Sequence, residues 1–447
     1  MIDAYTPPAQ GWRNSVGFAG ILIIAITVTL GGLGHSIGLA LALIAFAGDR
    51  AAWRWLSRLP EFWVAMLITV FVLFAAWRAG NLLPGTASEQ WDQAGRWLKL
   101  LLFFPLAWFL RTRPRGLLWV AACFLLGLGL SSAAVAWEHL VNAAQWPVRF
   151  GGRLGKPIVF GFYCGIGILL VAGHFPGVWN TLQRHNRRIL AAAGAFLLLA
   201  FLGWAVLASG SRGPFFALLP ALGVLGLCWL KWAPAPFRLN WRRGLLLALA
   251  MVTFLVVFKG QFEVLLGRFS AEQATIVAAA SGTEGAELPR DNTSIRLALW
   301  RFATEQWAKR PLLGAGPGSL EHLENQTDNP FLFVNYPESP YDHVHNAYLQ
   351  LLFSFGLVGV ALALLMVALL ARRIAIAWRE HAIDGAQLAA LIAGSVALAL
   401  YSVTDFRHLN YDLRAFWWLS AAAVLSIGSR PISNVGQARP PPAERQA

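Results

Sequence analysis

The sequence predicts an all-α polytopic membrane protein, with about twelve transmembrane helices and one large external helical loop. Three observations carry this expectation. Of 447 residues, 57% are hydrophobic and only 13% are charged, against about 25% charged in soluble domains; mean hydropathy is +0.55. Apolar runs close to the roughly 20 residues needed to cross a bilayer recur along the chain. Cations gather in alternate linkers between those runs, the pattern of loops kept on the cytoplasmic side.

Candidate spans fall at 14–30, 35–48, 61–77, 95–110, 117–137, 157–173, 188–208, 214–230, 244–259, 346–371, 386–404 and 413–429. The 35–48 run is short enough to be re-entrant. The basic linkers hold Arg50, Arg54 and Arg58; Arg111, Arg113 and Arg115; Arg184, Arg187 and Arg188; Lys231, Arg238, Arg242 and Arg243; and Arg372, Arg373 and Arg379. These place both termini in the cytoplasm and the long 260–345 stretch outside. The first apolar run lacks a small-residue cleavage site and reads as a span. The organisation expected is 1–259 as a membrane region of about nine spans, 260–345 as an external cap, 346–429 as a membrane region of about three spans, and 430–447 as a disordered cytoplasmic tail rich in Pro, Gln and Arg. The net charge of +14 is accounted for by basic loops on one membrane face, so no nucleic-acid partner is expected. Cys123, Cys164 and Cys228 all fall inside spans and predict no disulfide.

The external stretch carries Glu263, Glu272, Glu284, Glu287, Asp291, Glu305, Glu321, Glu324, Asp328, Glu338 and Asp342. A short helix is expected from Ala271 to Ala280, then a loop at Ser281–Gly285. Asp291, Asn292, Thr293 and Ser294 offer N-caps for a helix reaching about Lys309, which Pro311 ends. Gly314, Gly316, Pro317 and Gly318 make a turn-rich segment without the Gly-Lys-Ser/Thr ending of a phosphate-binding P-loop, so a nucleotide site is excluded. The stretch is too small for a separate enzyme domain and reads as a lid over the membrane helices.

Candidate functional residues cluster on the outer side. His345-Asn346, followed nine residues later by Gly356-Leu357-Val358-Gly359, lies where the lid re-enters the membrane. An imidazole there is a candidate general base; the competing reading is that it caps the next helix beside Asn346. Arg212 stands in the tight turn Ser209-Gly210-Ser211-Arg212-Gly213-Pro214, either snorkelling to headgroups or holding a phosphate with its planar fork. Arg296 lies four residues before Trp300, on a solvated face or facing the same phosphate. Arg153 and Lys156, in Gly151-Gly152-Arg153-Leu154-Gly155-Lys156-Pro157, form a third external basic site. His343 and His345 beside Asp342 have a spacing that suits a metal ion, but no cysteine or further histidine lies close in sequence, and no metal or other cofactor is expected. Tyr341 and Tyr348 flank the motif, as sugar contacts or as anchors at the membrane surface.

Taken in order, His345-Asn346-x9-Gly356-x-x-Gly359, Ser211-Arg212-Gly213, Arg296 with Trp300, Pro311-Leu312-Leu313-Gly314-Ala315-Gly316-Pro317-Gly318 and the span layout resemble the O-antigen ligase and polymerase superfamily, the ligase branch most. The resemblance covers nearly the whole length. It implies a C-type glycosyltransferase fold and transfer of O-antigen polysaccharide from undecaprenyl diphosphate to lipid A-core oligosaccharide, on the periplasmic face of the bacterial inner membrane and without a metal. It implies His345 as the catalytic histidine and Arg212 and Arg296 as pyrophosphate-facing cations, with Arg153 and Lys156 as further ones. Asn346, His343, Tyr341 and Tyr348 are then supporting residues. An O-antigen polymerase or a protein O-oligosaccharyltransferase would share this architecture. A lipid-linked glycan transporter would need charges along a path through the spans, and the spans are nearly charge-free.

Overall fold

The computed structural model describes residues 11–113, 115–141, 149–182, 184–232, 249, 252–253, 255–280, 291–335 and 338–427. The described residues form helices and one short antiparallel hairpin of β1 (Phe333–Asn335) with β2 (Ser339–Pro340). The helices are α1 (Trp12–Thr27), α2 (Gly34–Ala47), α3 (Arg50–Leu56), α4 (Pro60–Leu82), α5 (Ala87–Leu98), α6 (Phe103–Arg111), α7 (Gly116–Val141), α8 (Pro157–Thr181), α9 (His185–Ala208), α10 (Arg212–Trp232), α11 (Lys259–Ala280), α12 (Asn292–Ala308), α13 (Leu320–Glu324), α14 (Ala347–Arg379), α15 (Gly385–Thr404) and α16 (Tyr411–Ile427). The chain is a polytopic helical membrane protein.

Among the described residues, seven helices are long and apolar enough to cross a bilayer: α4, α7, α8, α9, α10, α14 and α15. The α2–α3 pair makes an eighth only if its 94° bend lies within one span. Helix α1 is apolar but shorter. The expected 95–110 span is not one helix. Its first residues end α5, a 3-10 turn covers Lys99–Leu101, and α6 has only nine residues. Glu89, Gln90, Asp92, Gln93 and Arg96 alternate in α5 with Ala87, Trp91 and Ala94, so that helix has one polar and one apolar face rather than an apolar circumference. Of the expected 244–259 span only 249, 252–253 and 255–259 are described, and the 281–285 loop and the tail from Arg430 lie outside the described residues.

Small residues let these helices approach. At the α1–α2 crossing, a Cβ on Gly20 would sit 2.4 Å from the Gly38 carbonyl oxygen, the close backbone packing expected where lipid supplies no hydrophobic drive between helices. Helix α10 packs on α15, α16 on α6, and α4 on α14. Far from the lid, Arg373 of α14 donates to both oxygens of buried Glu61 of α4, at 2.7 and 2.9 Å.

An apolar core of Leu83, Leu299, Phe302, Ala303, Ala315, Leu320, Leu323, Leu332, Phe333, Val344 and Phe353 joins the lid to the end of α4 and to α14. Helix α12 begins as its sequence predicts, with Asp291 accepting from Thr293 and Ser294 amides in a capping box. Helix α11 starts at Lys259, twelve residues before the expected helix at Ala271. The turn at 311–318 is stitched into a break in α14. Ala315 and Gly316 amides donate to the carbonyls of Phe353 (2.7 Å) and Ser354 (3.0 Å), while Leu357 and Val358 amides donate to those of Pro311 (2.9 Å) and Leu312 (3.1 Å). Gly356 makes the break, with φ 60° and ψ −162°, a conformation essentially confined to glycine. A Cβ on Gly314 or Gly356 would fall 2.5–2.6 Å from backbone atoms. Gln90 of α5 holds the turn's far end, accepting from the Gly318 amide (2.9 Å) and donating to Ser319 Oγ (2.8 Å).

Candidate active site

The His345 side chain is set by its neighbours on the backbone. Val344 is fully buried in the lid core. Its amide donates to Gln350 Oε1 (3.0 Å) and its carbonyl accepts from Trp300 Nε1 (3.0 Å). With that residue clamped, His343 and His345 flank it on the same side, their rings 4.2 Å apart. Asn346 is the N-cap of α14, accepting from the Tyr348 (3.0 Å) and Leu349 (3.1 Å) amides. The capping role therefore belongs to Asn346, and His345 is left available, with its backbone in the left-handed region at φ 52°. A non-glycine residue held there costs about 1–3 kcal/mol and persists only where surroundings enforce it.

Asp405, just after α15, organises the two rings. Its Oδ1 lies 3.5 Å from His345 Nδ1 and 3.7 Å from His343 Nε2, the second being an ion-pair distance rather than a hydrogen bond. Its Oδ2 accepts from Arg407 Nε (3.2 Å) and from the Tyr401 hydroxyl (3.3 Å). His343 Nδ1 bonds Asp342, and Tyr341 sets its ring edge-on to His345 at 5.8 Å.

These contacts separate the protonation states of the two imidazoles. Burial lowers His343, but the hydrogen bond to Asp342 and the charges of Asp342 and Asp405 outweigh it and raise its pKa to about 9. His345 moves the other way. Burial lowers it first, and the charges on His343 and Arg296 add to that, while Asp405 offsets only part. The two imidazoles are therefore pushed in opposite directions, His345 toward its neutral form and His343 toward its cation. Burial works against ionised Asp405, yet the two histidines and Arg407 hold it well below the usual carboxylate range.

Arg296 of α12 joins this group. Burial lowers its pKa first; Asp405 and Glu272 favour its charge and Arg212 opposes it. Arg212, at the start of α10, pairs with Glu272 of α11 at 2.5 Å, and Thr293 bonds the other Glu272 oxygen. His345, Arg296 and Arg212 thus share one electrostatic neighbourhood. Lys156 reaches it indirectly, through buried Asp412 (3.4 Å), which lies 3.9 Å from Arg407. Arg153 does not join: its partner is Glu138 (2.6 Å), and both side chains are more than half exposed. Tyr348 is exposed and donates from its hydroxyl to the Ala399 carbonyl (2.9 Å), tying α14 to α15.

Asp405, Tyr401, Arg407, Asp412 and Glu272 were not singled out from sequence. The readable signal was Tyr401-x-x-x-Asp405-x-Arg407-His408 at a span end, a dense set of polar groups in a chain that is 13% charged.

A family model described as O-Antigen ligase matches residues 195–364, a range that holds Arg212, Arg296, His345 and the Gly356–Gly359 break. An O-antigen ligase from Pseudomonas aeruginosa strain PAO1 is 25% identical over 320 residues, 70% of this chain and 66% of that protein. Both comparisons support a likeness to the O-antigen ligase superfamily. Its match to the Pseudomonas O-antigen ligase spans just under two thirds of that relative's length. Within the superfamily match, the three residues that share the neighbourhood come from three separate segments, and Asp405 lies beyond the matched range.

Proposed function

We propose that the chain is a glycosyltransferase that moves O-antigen polysaccharide from undecaprenyl diphosphate to lipid A-core oligosaccharide. The observation that carries this reading is the pairing of neutral His345 with Asp405 in one neighbourhood with Arg212 and Arg296. In this reading residues 1–259 and 346–429 form a membrane body of about twelve crossings with a C-type glycosyltransferase fold. Residues 260–345 are the periplasmic lid and 430–447 a cytoplasmic tail. The protein sits in the bacterial inner membrane with both termini in the cytoplasm and the site on the periplasmic face.

Asp405 accepts the Nδ1–H of His345, which leaves the Nε2 lone pair to take the proton of the acceptor hydroxyl. The acceptor oxygen attacks the donor sugar C1 as the bond from C1 to the phosphate oxygen breaks. The electron pair of that bond goes to the pyrophosphate. Arg212 and Arg296 stabilise the charge developing there, the role a metal ion plays in other transferases. Glu272 keeps Arg212 oriented until the phosphate shares it. One displacement step inverts the configuration at C1. Lys156 acts at longer range through Asp412, and Arg153 serves the outer surface with Glu138.

Reconstitution with purified lipid-linked O-antigen and lipid A-core tests this. Glycan on the core is expected from the native chain and none from His345→Ala. Longer lipid-linked chains without core product would mean a polymerase, glycan on a Ser- or Thr-containing protein an O-oligosaccharyltransferase, and translocated but unaltered donor a transporter.

A further inference from the structure

We propose that His343 Nε2, His345 Nδ1 and Asp405 Oδ1 form an inhibitory binding site for Zn²⁺ or a similar transition-metal dication. This rests on the reading of His345 as the base. Among the described residues these three side chains offer one ligand atom each, all within 4.8 Å of one another. A tetrahedral ion with bonds of about 2.1 Å sets its ligand atoms about 3.4 Å apart. The two separations from Asp405 Oδ1, 3.5 Å and 3.7 Å, are close to that edge length, and the third, within 4.8 Å, leaves the two rings to close on the ion.

The surroundings are those of a metal site. His343 Nε2 is buried without a hydrogen-bond partner. The opposite nitrogen of that ring bonds the Asp342 carboxylate, the outer partner that orients metal-bound imidazoles. The second oxygen of Asp405 is fixed by Arg407 and Tyr401. Two imidazoles and a carboxylate suit Zn²⁺, and not Mg²⁺ or Ca²⁺, which favour six or more oxygens.

The effect on catalysis follows from proton bookkeeping on one ring. Metal on His345 Nδ1 needs that lone pair, so the ring proton leaves Nδ1 and the neutral ring carries it on Nε2. His343 gives its Nε2 proton to solvent. His345 Nε2 is then a donor and has no lone pair for the acceptor hydroxyl. The ion switches the tautomer and silences the base.

The test uses full-length protein without a histidine tag, purified in detergent and washed with chelator. Equilibrium dialysis against Zn²⁺ is expected to leave a single tightly held zinc on the native chain and none on Asp405→Asn or His343→Ala. X-ray absorption of the zinc-loaded native chain, which needs no variant, is expected to show two imidazoles and oxygen at about 2.0–2.1 Å. In the reconstituted assay Zn²⁺ is expected to cut glycan transfer about 10²-fold or more, the contribution of a lost base, with chelator restoring it and Mg²⁺ doing nothing. Absence of retained zinc, a shell without imidazoles, or transfer unchanged or raised at zinc saturation would overturn the site or its inhibitory role. A native chain that holds zinc at this shell but never transfers glycan would sink the functional reading and leave the metal site standing.

Discussion

Two charged clusters bind α14 to its neighbours, and they are built on opposite rules. At the end far from the lid, Arg373 and Glu61 meet as a two-pronged pair in which each carboxylate oxygen has its own donor. Under the lid, one oxygen of Asp405 faces two imidazoles at once, and neither distance is shorter than 3.5 Å. The residue carrying one of those imidazoles has a left-handed backbone, and the nearest nitrogen of the other has no hydrogen-bond partner. The first cluster is saturated and can only hold. The second is under-satisfied and strained, with room to accept a proton or a ligand. Buried charge is thus no guide to function by itself; the under-satisfied cluster beneath the lid is the better candidate.

Mutations should separate the two clusters. The largest effect is expected from His345→Ala, with glycan transfer down about 10²–10⁴-fold while thermal stability in detergent stays near native. Asp405→Asn should approach it, because an amide no longer fixes the tautomer. Equal transfer by both variants and the native chain would erase the contrast drawn here. Glu61→Ala should do the reverse. It strands Arg373 and costs about 3–5 kcal/mol of stability, read as a large drop in melting temperature, while the folded fraction keeps its rate per molecule.

Next come the two arginines proposed to face the phosphate. Arg296→Ala should lower transfer about 10²-fold, and Arg212→Lys by less, since the charge survives but the fork does not. Unchanged donor turnover in Arg212→Lys would favour a snorkelling cation.

The pH profile sharpens the same point. The base form of His345 exists above a pKa that burial has pushed below 6.5. Transfer should therefore rise on the acid side, stay level through neutrality, and change again only as His343 loses its proton near 9. A midpoint at or above pH 7 on the acid side would contradict the arrangement.

Glu324 of the lid bears on stability alone. It is wholly buried, and burial with the nearby Glu321 and Asp342 charges raises it to about 9. A carboxyl whose folded pKa lies above its unfolded value gives stability below about 4.5 and loses it as pH rises toward 9. Glu324→Gln should accordingly raise the melting temperature by a few degrees at pH 8 and leave it unchanged at pH 4.

Much of this was legible in the chain because it is local. Asn346 caps α14 as a residue before an apolar run should, and Asp291 caps α12 for the same reason. The glycines at 314 and 356 stood out as turn and motif residues, though not as a pair that would interlock. Arg212, Arg296 and His345 were singled out because unusual cations and an imidazole stand out in a chain so poor in charge. Asp405 was not, because its meeting with His345 spans sixty residues and depends on how α14 and α15 return to the same face. Glu272 was hidden among eleven acids of the external stretch; only the packing of α11 against α12 selects it. The broken span at 95–110 was misjudged because a run of apolar residues does not say where a helix bends.

Whether His345 removes the acceptor proton can be decided with purified native and His345→Ala protein, matched for folding, and given the same lipid-linked O-antigen and lipid A-core. The expected result is glycan on the core from the native chain alone. Core glycosylation by His345→Ala at near-native rate would show that the base lies elsewhere.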